Sequence, residues 1–159
     1  MMNSPVIIDT NLLSLLVVGA TSRKYISLHK RLERDFTVRE YELLVEFISL
    51  FTDIILIPHI VAETSSLIRQ IRAPMRTSIQ ETLRTLITTA IELSIPSAWG
   101  AQRDEYQELG ITDAVILHFL SMSGIEPTLM TIDRDLINSA SSLGYRVIDC
   151  RREFWPERR

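Results

Sequence analysis

Four carboxylates stand apart from the surface charges of this chain, because each sits among apolar residues where one element gives way to the next. Asp9 follows the β-branched run Pro5-Val6-Ile7-Ile8, and Asp133 follows a second such run, Thr128-Leu129-Met130-Thr131-Ile132. Glu63 stands on a helical pattern that begins just after Ile54-Ile55-Leu56-Ile57, and Asp113 opens the apolar stretch that ends at Leu120. Carboxylates drawn within a few ångströms of one another repel, which raises their pKa values and destabilises the fold. A hard divalent cation removes that penalty. Mg²⁺ or Mn²⁺ takes oxygen ligands and keeps several waters, so acids without cysteine or histidine are suitable ligand chemistry.

Each acid also has a plainer explanation. Asp9, Asp113 and Asp133 lie near helix starts, where an aspartate is favoured for capping alone, worth about 1 kcal/mol. Glu63 is early enough in its helix to gain from the dipole. The joint pattern favours chemistry: four acids at junctions that a parallel sheet would bring to one edge.

The elements that must position them follow from periodicity. A short helix is predicted over residues 11–18 with Thr10 or Asn11 as its cap, a break over 19–22, and a helix over 23–34. Residues 37–51 form the clearest amphipathic helix, with Thr37 and Glu40 spaced as a capping box. The strand 54–57 ends at Pro58, which lacks the amide a central strand needs. Helices are predicted from residue 59 or 60 up to the Pro74 break and over 77–93, with a short strand over 91–95 as the alternative ending. A polar helix over 97–109 closes at Gly110, and the apolar helix from 111 to 120 follows. A helix over 134–143, stopped by Gly144, and a strand over 145–148 complete the pattern.

Strand and helix alternate throughout, so the expected class is α/β with a mostly parallel sheet and helices on both faces, a three-layer α/β/α sandwich. One domain is expected over 1–150, with a charged tail over 151–159 anchored by Phe154 and Trp155.

Length and composition agree with one globular domain: 159 residues, 46% hydrophobic, 23% charged. The formal net charge of −3 carries no basic footprint, so any nucleic-acid contact needs a local patch or bound cations. Cys150 is the single cysteine, which excludes an internal disulfide and fits a reducing compartment. Asp9 and Asn11 interrupt the only early apolar run, and no stretch approaches the roughly 20 apolar residues of a membrane span. A cytoplasmic protein is expected, with no membrane partner.

Four segments carry a family resemblance. They are Ile7-Ile8-Asp9-Thr10-Asn11, Ile57-Pro58-His59-Ile60-Val61-Ala62-Glu63, Leu109-Gly110-Ile111-Thr112-Asp113-Ala114 and Leu129-Met130-Thr131-Ile132-Asp133-Arg134-Asp135-Leu136. In this order and spacing the chain resembles the PIN-domain family of metal-dependent ribonucleases, which includes the VapC-type toxins of toxin–antitoxin pairs. The resemblance spans nearly the whole chain. It implies a PIN-like sandwich and an endoribonuclease whose Asp9, Glu63, Asp113 and Asp133 are the catalytic and metal-binding acids for Mg²⁺ or Mn²⁺. Thr10 and Asn11 would support the first acid, Thr131 would lie beside the cluster, and Asp135 would reach the metal through water or simply sit in the first turn of its helix. RNA is the implied substrate, and a small antitoxin protein the implied partner of a toxin. Such a cation lowers the pKa of a bound water and neutralises charge on phosphate oxygens. The rival reading is a PIN-fold RNA- or protein-binding module with little or no cleavage; a deoxyribonuclease of related fold is a third.

The remaining candidates are weaker. His29, His59 and His118 share no spacing for a zinc site, and core or helix-start roles are expected for them. Arg69, Arg72, Arg76, Arg23, Lys24, Lys30, Arg31 and Arg34 are candidates for phosphate contacts at a rim. Trp99 and Trp155 are candidates for stacking on bases. The apolar residues between 12 and 18 suit either a homodimer face or the core.

Overall fold

The computed structural model describes residues 2–122 and 124–158. Its elements run in chain order as β1 (Val6–Ile8), α1 (Thr10–Thr21), α2 (Tyr25–Leu28), α3 (Val38–Ile48), β2 (Ile55–Leu56), α4 (Pro58–Ile68), α5 (Met75–Thr89) and β3 (Ile91–Glu92). Then follow α6 (Ser97–Ala101), α7 (Tyr106–Leu109), α8 (Ile111–Ser121), β4 (Thr128–Thr131), α9 (Arg134–Ser142), β5 (Val147–Asp149), α10 (Cys150–Phe154) and a 3₁₀ turn, Pro156–Arg158. The class is mixed α/β, as the alternation predicts, with helix far in excess of strand. No helix among the described residues is long and apolar enough to cross a membrane.

Every strand pairing among the described residues is parallel. β1, β4 and β5 form one sheet in the order β1-β4-β5, β2 and β3 form a second, and a parallel bridge between Val6 and Ile54 joins the two. The joined order is β3-β2-β1-β4-β5. The chain therefore builds outward from β1 on one side, then jumps across to build outward from β4 on the other. The gap between β1 and β4 is the topological switch point, where open α/β sheets place ligands beyond their carboxyl ends.

The strands are short, two to four residues each. β1 and β4 are buried along their whole length, as central parallel strands must be, whereas edge strand β3 is exposed. Helices carry most of the core. α1 lies at its centre, packed against α2, α3, α4 and α5, while α8 packs against α6, α7 and α4.

Local rules account for most boundaries. Asp9, not Thr10 or Asn11, caps α1 by accepting from the Leu12 amide. α1 also runs past the break expected at Gly19, where a Cβ would collide with the Tyr41 ring of α3. Glycine is kept for close packing at that point, and the helix continues through it. The capping box of α3 forms as spaced, Thr37 and Glu40 satisfying each other's backbone amides. Pro58 begins α4 instead of merely ending the strand, occupying the helical position where a missing amide costs nothing. Only Tyr25–Leu28 of the expected 23–34 helix is helical, and the 97–109 segment divides into α6 and α7. Leu12, Leu13, Leu15, Val17 and Val18 are buried within the chain itself, so they form no free face for a homodimer.

The last residues pack onto the body of the fold. Phe154 is fully buried, its ring edge-on to Phe36, and its carbonyl accepts from Arg39 of α3 at 2.7 Å. Trp155 stacks on Phe36 at 6.0 Å.

Candidate metal centre at the carboxyl edge of the sheet

The register that sets Ile8 beside Met130 brings Asp9 alongside Thr131 at the switch point. Asp9 is buried, its Oδ1 accepting from the Leu12 amide at 2.9 Å and its Oδ2 from the Thr131 hydroxyl. Burial pushes its carboxyl up to about 6 against those hydrogen bonds, with Asp133 adding to the rise. Thr131 is the hinge of the pair, because its Oγ1 also accepts from the Asp133 amide at 3.0 Å.

Glu63 reaches the same edge from the second turn of α4. Its Oε2 accepts from Thr10 of α1 at 2.9 Å and its Oε1 from Thr112 of α8. One carboxylate thus ties three helices together, and it lines a cavity of about 400 Å³ with Thr10, Ser66 and Gln70. Asp133 is exposed and caps α9, accepting from the amides of Asp135 at 2.9 Å and Leu136 at 3.1 Å.

Asp113 is placed by glycine. Gly110 ends α7 and begins α8 with φ 83° and ψ 176°, a region essentially open only to glycine. This turn aims the first turn of α8, with Thr112 and Asp113, at the other acids. Half-buried, the Asp113 carboxyl is pushed up to about 7, first by burial and then by Asp133, Asp9, Glu63 and Asp135 in that order. No hydrogen bond is among the causes that move it. The four acids do converge.

Capping explains Asp9 and Asp133 in part, since both accept helix-start amides. It does not explain Asp113, which lies two positions inside α8 and faces like charges. The donor chemistry, all carboxylate and hydroxyl oxygen, fits a hard divalent cation. As the side chains stand, no group of three or more His, Cys, Asp or Glu among the described residues makes a ready metal site. Asp9 and Glu63 have both oxygens engaged by protein donors, and a bound cation would take the place of some of them.

The supporting residues sort differently from expectation. Thr10 bonds to Glu63, not to Asp9. Asn11 is half-buried on the same turn and takes no part in the bonds that join the acids. Thr131 lies beside the cluster as expected, and Asp135 contributes its amide to Asp133 and its charge to Asp113. Thr112 was not singled out by sequence reasoning, although it adjoins Asp113; only the approach of α4 to α8 reveals its bond to Glu63. Cys150 is buried at the start of α10, where burial first, then Asp9 and Asp149, push its thiol up.

The histidines stay outside. His59 bonds Ser97 through Nε2 at 2.7 Å, and His118 packs 5.2 Å from the Trp99 ring. His29 is buried, its Nδ1 accepting from the Arg31 and Leu32 amides, so its Nε2–H donates to the Leu67 carbonyl. Among the basic candidates, Lys30, Arg69, Arg72 and Arg76 do gather, lining a cavity of about 640 Å³ beyond Gln70. Arg23 instead pairs with Glu42 over the Tyr41 ring, Arg31 approaches Asp35, and Lys24 and Arg34 are exposed. No protein-family model, curated protein or solved structure matches this chain.

Proposed function

We propose that the chain is a metal-dependent endoribonuclease of PIN type, with Asp9, Glu63, Asp113 and Asp133 holding Mg²⁺ or Mn²⁺ at the β1–β4 switch point. The strand order and the helices grouped around α1 and α8 support a PIN-like α/β/α sandwich. The observation that carries the reading is Asp113: a half-buried carboxylate, not a helix cap, facing four other acids. The α8 dipole offsets part of that repulsion, and a cation opposite the group would offset the rest. The bound ion would supply a water of lowered pKa and neutralise charge on phosphate oxygens.

The protein's own residues do the positioning. Thr131 donates to Asp9 and accepts from the Asp133 amide, so one hydroxyl links two acids from adjacent strand ends. Thr10 and Thr112 hold Glu63 between α1 and α8. Burial and the neighbouring acids push the Asp113 carboxyl up to about 7, above that of Asp9 at about 6. With cations held by these acids, the pocket would accept an anionic substrate.

A second reading has its own observation. The saturation of Asp9 and Glu63 by hydroxyl and amide donors is what a PIN-fold binding module with no metal would show. One experiment separates the two. A mixed RNA pool is incubated with wild type or Asp113→Asn in Mg²⁺, Mn²⁺ or EDTA. The nuclease cuts only with metal, and the variant loses at least ~10²-fold in rate, as expected when a metal ligand is lost. A folded wild type that cuts under no condition supports the binding module.

A further inference from the structure

Beside the acids, on the flank of the sheet that carries β5, lies a cavity of about 640 Å³ lined by Arg134, Arg151, Arg152, Trp155 and Arg158. Three elements supply it: the first residue of α9, the short helix α10 and the closing 3₁₀ turn. Arg134 immediately follows Asp133, and α10 begins at Cys150, next to Asp9. The cavity therefore borders the acidic centre.

Its charge is strongly one-sided. Asp149 offsets it, paired with Arg151 at 3.2 Å and Arg152 at 3.5 Å. Among the described residues Arg134 and Arg158 have no carboxylate partner within ion-pair distance; Glu153 and Glu157, on the same segment, do not line the cavity. Asp149 also holds Arg151 through two nitrogens, which fixes the direction of that guanidinium. The Trp155 ring is held by Phe36 at 6.0 Å and Phe154 at 5.9 Å, and the Arg158 guanidinium lies 5.1 Å from its centroid. Planar guanidiniums match phosphate oxygens bidentately, and a fixed aromatic ring with an arginine over it is a stacking platform for any base.

We propose that this cavity binds single-stranded nucleic acid, its arginines gripping backbone phosphates and the Trp155–Arg158 platform holding a flanking base. The choice of ligand rests on the reading of the neighbouring acids as a phosphodiester site; the aromatic platform argues against an acidic peptide, which has no base to stack. A net acidic protein would thus engage its substrate through a local basic patch.

The test is equilibrium binding of the full chain to a labelled single-stranded RNA decamer in EDTA, where no cleavage occurs, over a salt series. The variants are Arg134→Ala and Arg158→Ala, both exposed and outside the core, with thermal unfolding confirming that each is folded. Each variant is expected to bind about tenfold more weakly, with the log–log salt slope shallower by roughly 0.7 per lost phosphate contact. Unchanged affinity and slope in both variants overturn the proposal. Displacement of the RNA by a polyglutamate peptide of equal charge also overturns it, in favour of an acidic protein partner. Arginine-dependent binding without any cleavage in Mg²⁺ or Mn²⁺ supports this site while removing the nuclease reading, so the two fail separately.

Discussion

At the scale of single residues, Asp113 concentrates the tension in this molecule. Burial pushes its carboxyl up from an ordinary 3.8 to about 7, and that of Asp9 to about 6. Between those values the folded state binds more protons than the unfolded one, so stability falls as pH rises from about 4 to 7. Without divalent cation, wild type is therefore expected to show a higher urea midpoint at pH 5 than at pH 8. Asp113→Asn removes the larger part of that slope and gains on the order of 1–2 kcal/mol over wild type at pH 8, while losing cleavage. Paired urea titrations at the two pH values measure both effects. A variant less stable than wild type at pH 8 would mean that the charge supports the fold instead of opposing it.

At the scale of elements, the site depends on how α8 is entered. Gly110 closes α7 and opens α8 in a conformation that strains any other residue, although no atom crowds the space a Cβ would take. Gly110→Ala should thus cost about 1–3 kcal/mol through backbone strain alone. Relief of that strain turns the first helical turn, so the Thr112 bond to Glu63 and the aim of Asp113 are lost together. The expected result is a lowered urea midpoint and, per folded molecule, a cleavage rate reduced about as far as in Asp113→Asn. Normal cleavage by the folded fraction would show that the turn supports α8 without aiming it. Gly19 fails differently: its Cβ would strike the Tyr41 ring, so alanine there disturbs α1–α3 packing and leaves the acids in place.

At the scale of the whole molecule, four acids from four separate parts of the chain are held at one edge by the order in which the strands join. Their mutual repulsion acts on the global fold, and a bound cation should relieve it. Mg²⁺ or Mn²⁺ at 100 times its dissociation constant is expected to stabilise wild type by about 2.7 kcal/mol. Asp113→Asn, already relieved of one charge, should gain much less. Thermal unfolding with and without metal, for both proteins, measures the difference; equal gains would place the ion elsewhere.

Much of this was legible in the chain. The apolar runs ending at Ile8, Ile57 and Ile132, the capping box at Thr37 and the glycine stop at Gly144 rest on local rules, which neighbouring residues enforce by themselves. So did the four acids, whose types and junction positions are properties of the sequence. The central place of α1 was not legible, because an apolar helix reads alike whether its own chain or a second copy buries it. Nor could spacing show that Thr10 serves Glu63 and not Asp9, that Thr112 completes the hold, or that Arg134, Arg151 and Arg158 share a cavity. Those pairings join residues far apart in the chain, and only the strand order and the packing of α4, α8 and α10 bring them together. The sequence determined which groups were available and where each element would start; the tertiary structure decided which groups meet, because side-chain contacts across a fold depend on packing that no local pattern encodes.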